Sequence, residues 1–192
     1  MLFVARLLSY SMIRIPLNVR TKNLGKVLDK VIAAHKLLRE QNNSGKLLGA
    51  PNDNPKITEI DLANARIKGN IVVAPDVHAY YLEQFEENKV KVAAAGLFPN
   101  NKLVSISGRF YYPEKGYMGW HTNSNMLGWR VYASHCEEGN KSFFRYFQKN
   151  KVHTDWEDQG WNFRAFEVKP GNLYWHCVYT ETNRYSFGFR FQ

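Results

Sequence analysis

Residues 162–191 read NFRAFEVKPGNLYWHCVYTETNRYSFGFRF. Apolar, aromatic and β-branched runs from Asn162 to Val168, Asn172 to Cys177 and Arg184 to Phe191 are broken by the turn residues Pro170, Gly171 and Asn183. Short runs of this composition predict strands rather than helices. The same texture extends back to Lys102, with further candidate strands at Leu103 to Tyr112, Tyr117 to His121, Arg130 to Cys136, Ser142 to Phe147 and Val152 to Trp156. About eight short strands separated by turn residues point to an antiparallel sandwich or barrel. Of the 28 aromatic residues, 22 lie in this half, including all five tryptophans, so the large core is expected here.

The first half has a helical pattern instead. Leu24, Val27, Leu28, Val31, Ile32, His35 and Leu38 recur at helical spacing, which predicts a helix from Asn23 to Gln41 ended by Asn42 to Gly45. After a Pro- and Asn-rich loop, Thr58 is placed to cap a short helix ending near Gly69. Pro75 suits a first helical turn and predicts a helix through His78, Tyr81, Leu82 and Phe85 to Asn88. These helices carry no motif, and their natural role is to cover a sheet. The expected fold is mainly β with N-terminal helices (α+β), residues 1–101 packing on a β core of residues 102–192 in one structural unit.

A chain of 192 residues with 44% hydrophobic and 22% charged content suits one globular domain. The formal charge of +9 sits at the two ends, +5 over residues 1–28 and +4 over 102–192. This favours an anionic partner such as nucleic acid or an acidic protein, and it equally fits a merely basic surface. Cys136 and Cys177 form no CxxC pair and are too few for a disulfide framework, so a reducing, intracellular and cytoplasmic home is expected. Residues 1–15 are apolar but interrupted by Arg6 and Arg14, short of the roughly 20 residues of a membrane span. They read as an amphipathic helix packed on its own domain, with an organellar transit peptide or a true start at Met12 as alternatives.

Three stretches carry the chemistry: Tyr112 to Asn123 (YPEKGYMGWHTN), Pro170 to His176 (PGNLYWH) and Asn183 to Phe191 (NRYSFGFRF). The first resembles the Y-x-x-G-x-x-x-x-x-H-x-D lead-in of the Fe(II)/2-oxoglutarate-dependent dioxygenases, and the second the turn that brings their distal histidine. The third resembles both the closing R-x-S strand of the prolyl-hydroxylase-like enzymes and the R-Y-N-x-x-F-R strand of the AlkB-like enzymes. The resemblance spans the last 90 residues or so and implies a double-stranded β-helix, of the jelly-roll or cupin type. It implies that His121 and His176 bind Fe(II), with Asn123 at the carboxylate position. It further implies that Arg184, Ser186 and Tyr112 hold the C5 carboxylate of 2-oxoglutarate, since a planar guanidinium matches a carboxylate in a two-point contact. Arg190 matches the second arginine of the AlkB-like strand. The implied activity is oxidation of a C–H bond with O2, on a protein or peptide side chain such as proline or on a nucleic-acid base.

Asn123 departs from that pattern. An amide offers a carbonyl oxygen but no negative charge, and is a poorer ligand than Asp for a hard cation. It leaves open a weakly ligated active enzyme, two histidines with an exchangeable ligand, or a non-catalytic cupin-like binding barrel; zinc on the same histidines is a further rival. His135 and Glu137 form a competing H-x-E, although Glu138 to Asn140 read as a hairpin turn. Strand alternation turns Cys177 away from His176 and into a core. His35, His78 and His153 have no partner pattern and are expected at or near the surface. Trp129, Arg130, Arg145 and Arg164 are candidates for the barrel mouth or for its exterior.

Overall fold

The computed structural model describes residues 12–67, 76–83, 85–123, 126–171 and 173–192. The expectation for residues 1–11 lies outside these. Among the described residues the order is β1 (Ile13–Arg14), α1 (Val19–Glu40), β2 (Lys46–Leu48), α2 (Glu59–Ile67), β3 (Val77–Tyr81), α3 (Glu87–Ala95), β4 (Leu103–Tyr112), β5 (Tyr117–His121), β6 (Gly128–Cys136), β7 (Ser142–Gln148), β8 (Lys151–Trp156), β9 (Gly160–Val168), β10 (His176–Thr180) and β11 (Arg184–Phe191). The fold is mainly β, as the alternating aromatic runs require.

All strand pairs are antiparallel, in the order β1-β9-β6-β11-β4-β3-β5-β10-β7-β8, with β2 paired to β3. The curled sheet has two halves, β9-β6-β11-β4 and β5-β10-β7-β8, joined through β3. From β4 to β11 the chain crosses between the halves at every connection except the β7–β8 hairpin. There Lys149 and Asn150 have φ of 51° and 59°, the left-handed pair that a two-residue hairpin matching the strand twist demands. The halves face each other across an aromatic interior that includes Tyr112, Phe144, Phe166 and Val178.

The outer face of the first half is covered by helix. Asn18 caps α1 by accepting from the N–H groups of Arg20 and Thr21, which starts the helix before the apolar repeat does. Its buried residues Leu24, Leu28, Val31 and Ile32 share one core with Val131, Phe163, Phe187 and Phe189. On the outer face of the other half, Leu62 of α2 clusters with Trp120, Phe143, Trp175 and Cys177. Cys177 thus faces away from its neighbour His176, as alternation requires.

Four local expectations are corrected. Residues 77–81 are a strand, because Val77, Tyr80 and Tyr81 suit a pleated surface and β3 completes ladders with β2, β4 and β5; the helix beyond it is α3. The strand bearing the distal histidine runs over His176–Thr180, later than Asn172 to Cys177. The Glu138–Asn140 turn carries the chain from β6 to β7 in the opposite half and closes no hairpin. His35 is buried, its ring nitrogens 3.0 Å from Tyr185 Oη and 2.9 Å from the Ser44 carbonyl. His78 is buried as well, whereas His153 is half-buried and stacks on Tyr146.

Candidate active site

The site begins with a bulge. His176 pairs with His121 and Val178 with Met118, so Gly119 and Trp120 of β5 together oppose Cys177 of β10. The extra residue turns His121 to the interior face already occupied by Met118, the re-aiming that bulges beside functional sites produce. Gly119 lies at the bulge because a Cβ there would meet the backbone oxygens of Lys56 and Asp76 at 3.0 and 3.2 Å. The two imidazoles end with ring centroids 4.1 Å apart.

Both rings are oriented in the same way. Nδ1 of His121 donates to the Gly119 carbonyl at 2.8 Å, and Nδ1 of His176 to the Tyr174 carbonyl at 2.9 Å. A carbonyl only accepts, so each Nδ1 bears the proton and each Nε2 keeps its lone pair, the tautomer a metal ligand needs. Burial lowers the pKa of both rings, and the neighbouring His121 lowers that of His176 further. Both are therefore neutral bases at physiological pH.

Asn123 and Tyr132 complete this cluster. The Asn123 amide nitrogen donates to Tyr132 Oη at 3.0 Å, its carbonyl oxygen lies 3.2 Å from that hydroxyl, and the hydroxyl is 3.5 Å from His176 Nε2. Burial pushes the Tyr132 phenol up. Among the described residues no three His, Cys, Asp or Glu side chains converge.

A cavity of about 530 Å³ is lined by His121, Asn123, Tyr132 and His176, with Tyr112, Arg184 and Ser186 also on its wall. Leu47 in the same lining is exposed whereas Arg184 is 1% exposed, so the cavity runs from a solvent-facing rim to a closed floor. Leu48, Val77, Phe110 and Met118 give it apolar sides.

At that floor Arg184 already holds a carboxylate. Its Nε and Nη2 donate to Glu157 at 2.6 and 2.9 Å, and its guanidinium lies 5.2 Å from the Tyr112 ring centre. Glu157 also accepts from Arg164, Ser134 and Cys136, and Arg164 reaches on to Asp155. Four donors on one fully buried carboxylate hold Glu157 far below the usual range despite its desolvation, chiefly through the two arginines. Burial next to Glu157 pushes the Cys136 thiol up, so it serves as a donor. Nη1 of Arg184 remains buried without a hydrogen-bond partner.

The remaining candidates lie elsewhere. Arg190 is absent from the cavity lining, and its Nε donates to the Leu127 carbonyl at 3.1 Å. His135 packs edge-on against Trp161 and Glu137 pairs with Lys36 of α1, so the competing H-x-E is on the helix-covered face. Trp129 stacks on Phe98, Arg130 donates to the carbonyls of Met126 and Trp129, and Arg145 donates to the Ile57 carbonyl, so none of the three reaches the cavity. Tyr132 and Glu157 are the residues that sequence reasoning missed. Alternation along β6 puts Tyr132 on one face with Arg130 and Ser134, which is the only signal available for it.

No protein-family model matches the sequence, and no curated protein matches it. Solved structures do match. A prolyl hydroxylase from Trichoplax adhaerens, in complex with a hypoxia inducible factor oxygen degradation domain peptide fragment, aligns with TM-score 0.55 at 12% identity over 95% of this chain and 84% of that one. A prolyl-4-hydroxylase from Pseudomonas putida aligns with TM-score 0.45 at 14% identity over 96% and 93% of the two chains. An oxidoreductase of the 2OG-Fe(II) oxygenase family from Burkholderia pseudomallei aligns with TM-score 0.44 at 10% identity over 94% and 93%. At 12% identity the first likeness speaks for the fold alone: over nearly its whole length this chain shares the fold of that prolyl hydroxylase.

Proposed function

We propose that this protein is a non-haem iron, 2-oxoglutarate-dependent oxygenase built on a double-stranded β-helix, acting on a protein or peptide side chain. The observation that carries the reading is the pair of neutral imidazoles on adjacent strands, each tied through Nδ1 and each keeping its Nε2 lone pair, at a cavity whose floor is an arginine. Two histidines and one carboxylate on one face of a site, with neighbouring positions left open, are the usual donor set for such iron, and the two histidines of that set are here. When bound, iron and 2-oxoglutarate would supply the oxygen activation and oxidising power for hydroxylating a C–H bond, with succinate and carbon dioxide as by-products.

The chain's own residues do the rest. Glu157 fixes the Arg184 guanidinium, leaving Nη1 as the donor for the distal carboxylate of the co-substrate. Ser186 and Tyr112 line the same wall and supply hydroxyls. The clamp is therefore one guanidinium nitrogen, Nη1, with two hydroxyls instead of a two-nitrogen fork. Leu48, Val77, Phe110 and Met118 exclude water from the reacting end and favour an apolar side chain. The peptide held by the Trichoplax enzyme and the basic charge of this chain support a macromolecular substrate with acidic flanks. No helix among the described residues is long and apolar enough to cross a membrane.

The test is anaerobic titration with Fe(II), then addition of O2 and 2-oxoglutarate with succinate measured. Stoichiometric iron binding and succinate release, both lost in His176→Ala, are expected. Iron binding without succinate would leave a binding barrel, and no iron binding would remove the oxygenase reading.

A further inference from the structure

We infer that Tyr132 supplies the third protein donor to the metal, its phenolic oxygen replacing the carboxylate that Asn123 cannot offer. The inference rests on the reading that His121 and His176 hold a metal, and it deepens that reading by naming the donor which completes the set.

The first argument is distance. Tyr132 Oη and His176 Nε2 are 3.5 Å apart, at the far limit of a hydrogen bond. Two donors to one metal stand about 3.0 Å apart at the right angle of a six-coordinate iron site with open positions, and about 3.4 Å apart at a tetrahedral angle. The observed separation is thus a poor hydrogen bond that a small shift toward a shared metal would shorten to a coordination edge.

The second is how firmly the ring is placed. It packs edge-on against Phe144 and Phe166, with centroids at 5.8 and 5.4 Å. On the neighbouring strand Gly188 leaves it room, since a Cβ there would come 3.0 Å from the ring. A large polar-tipped side chain is seated over a glycine with its oxygen beside His176.

The third is Asn123 itself. Its amide nitrogen donates to Tyr132 Oη at 3.0 Å. An aspartate there would set a second negative charge against a bound phenolate, whereas an amide N–H stabilises it. Asn123 becomes a positioning residue, and its departure from H-x-D follows from the change of ligand. A metal held there would take Tyr132 as the phenolate, its proton going to solvent.

The experiment uses the whole chain. Protein loaded anaerobically with Fe(II) is oxidised by air to Fe(III), and visible absorption and resonance Raman spectra are recorded. Co(II) affinity is measured in parallel by its absorption. A visible charge-transfer band with tyrosinate ring modes is expected in the wild type and in Asn123→Ala, but not in Tyr132→Phe. The phenylalanine variant keeps the ring packing and should bind Co(II) about tenfold or more weakly. If the wild type binds metal through His176 but shows no such band, and Tyr132→Phe binds as tightly, the Tyr132 assignment is overturned while the two-histidine reading stands. If the wild type binds neither metal, both fall.

Discussion

Glu157 and Arg184 form a two-point ion pair of 2.6 and 2.9 Å in which both side chains are buried. Arg184 of the closing strand is thus neutralised from within the fold. A second arginine, Arg164, shares the same carboxylate at 2.6 Å, so the group carries one more positive charge than Glu157 can balance alone, and Asp155 takes up that excess. The floor of the cavity is preorganised rather than strongly cationic.

Removing Glu157 leaves two buried guanidinium groups without their common partner. Glu157→Ala should destabilise the protein by about 3–5 kcal/mol, the usual cost of breaking a buried pair. Denaturant unfolding measures this, and a loss under about 1 kcal/mol would show that water or rearrangement compensates the arginines.

Gly188 sets the position of Tyr132. In Gly188→Ala the new Cβ would lie 2.8 Å from Ser107 Oγ and 3.0 Å from the Tyr132 ring. The hydroxyl can rotate away but the packed ring cannot, so overpacking of about 1–3 kcal/mol is expected together with weaker metal binding. Unchanged stability and unchanged Co(II) affinity would contradict this placement.

Stability should fall in two stages with acid. His35, His78, His121, His135 and His176 all have pKa values lowered by burial, so below the ordinary value of 6.5 the unfolded chain takes up protons that the native state refuses. Their contribution is complete above 6.5 and is lost as pH falls below it. Glu157, also lowered, contributes fully above its ordinary value of 4.5 and loses that contribution only at more acid pH. Unfolding midpoints of metal-free protein should drop between about pH 7 and pH 5 and again below 4.5, the second drop being smaller in Glu157→Gln because Glu87 and Glu137 are lowered as well. A flat profile from neutrality to pH 5 would refute the histidine account.

Ser186 lines the cavity two residues along β11 from Arg184, on the same face of the strand. A hydroxyl bonded to a carboxylate is worth about 1.5–3 kcal/mol, so Ser186→Ala should weaken 2-oxoglutarate binding about tenfold or more in calorimetry, with stability little changed. Equal affinity would place the co-substrate carboxylate elsewhere.

Much of this architecture is legible in the residues. The bounds of β4, β5 and β11 follow directly from their aromatic and β-branched runs, and α1 from its apolar repeat. Val77 to Tyr81 misleads because Pro75 fits a helical first turn, while the strand there depends on distant partners such as Met118 and Tyr111. The histidines and Arg184 are visible because motif spacing preserves them. The bulge that makes His121 face His176 is a matter of register between strands, which linear spacing does not carry. Glu157 reaches Arg184 from the end of a strand in the other half, and Tyr132 reaches His176 across the interior, so only the closed sheet reveals them.

Anomalous diffraction at the iron absorption edge, from crystals grown with Fe(II) and 2-oxoglutarate, tests the central claim most directly. A single peak within bonding distance of Nε2 of both His121 and His176 is predicted. A well-ordered cavity with no peak between the two rings, or a peak held by other residues, would contradict it.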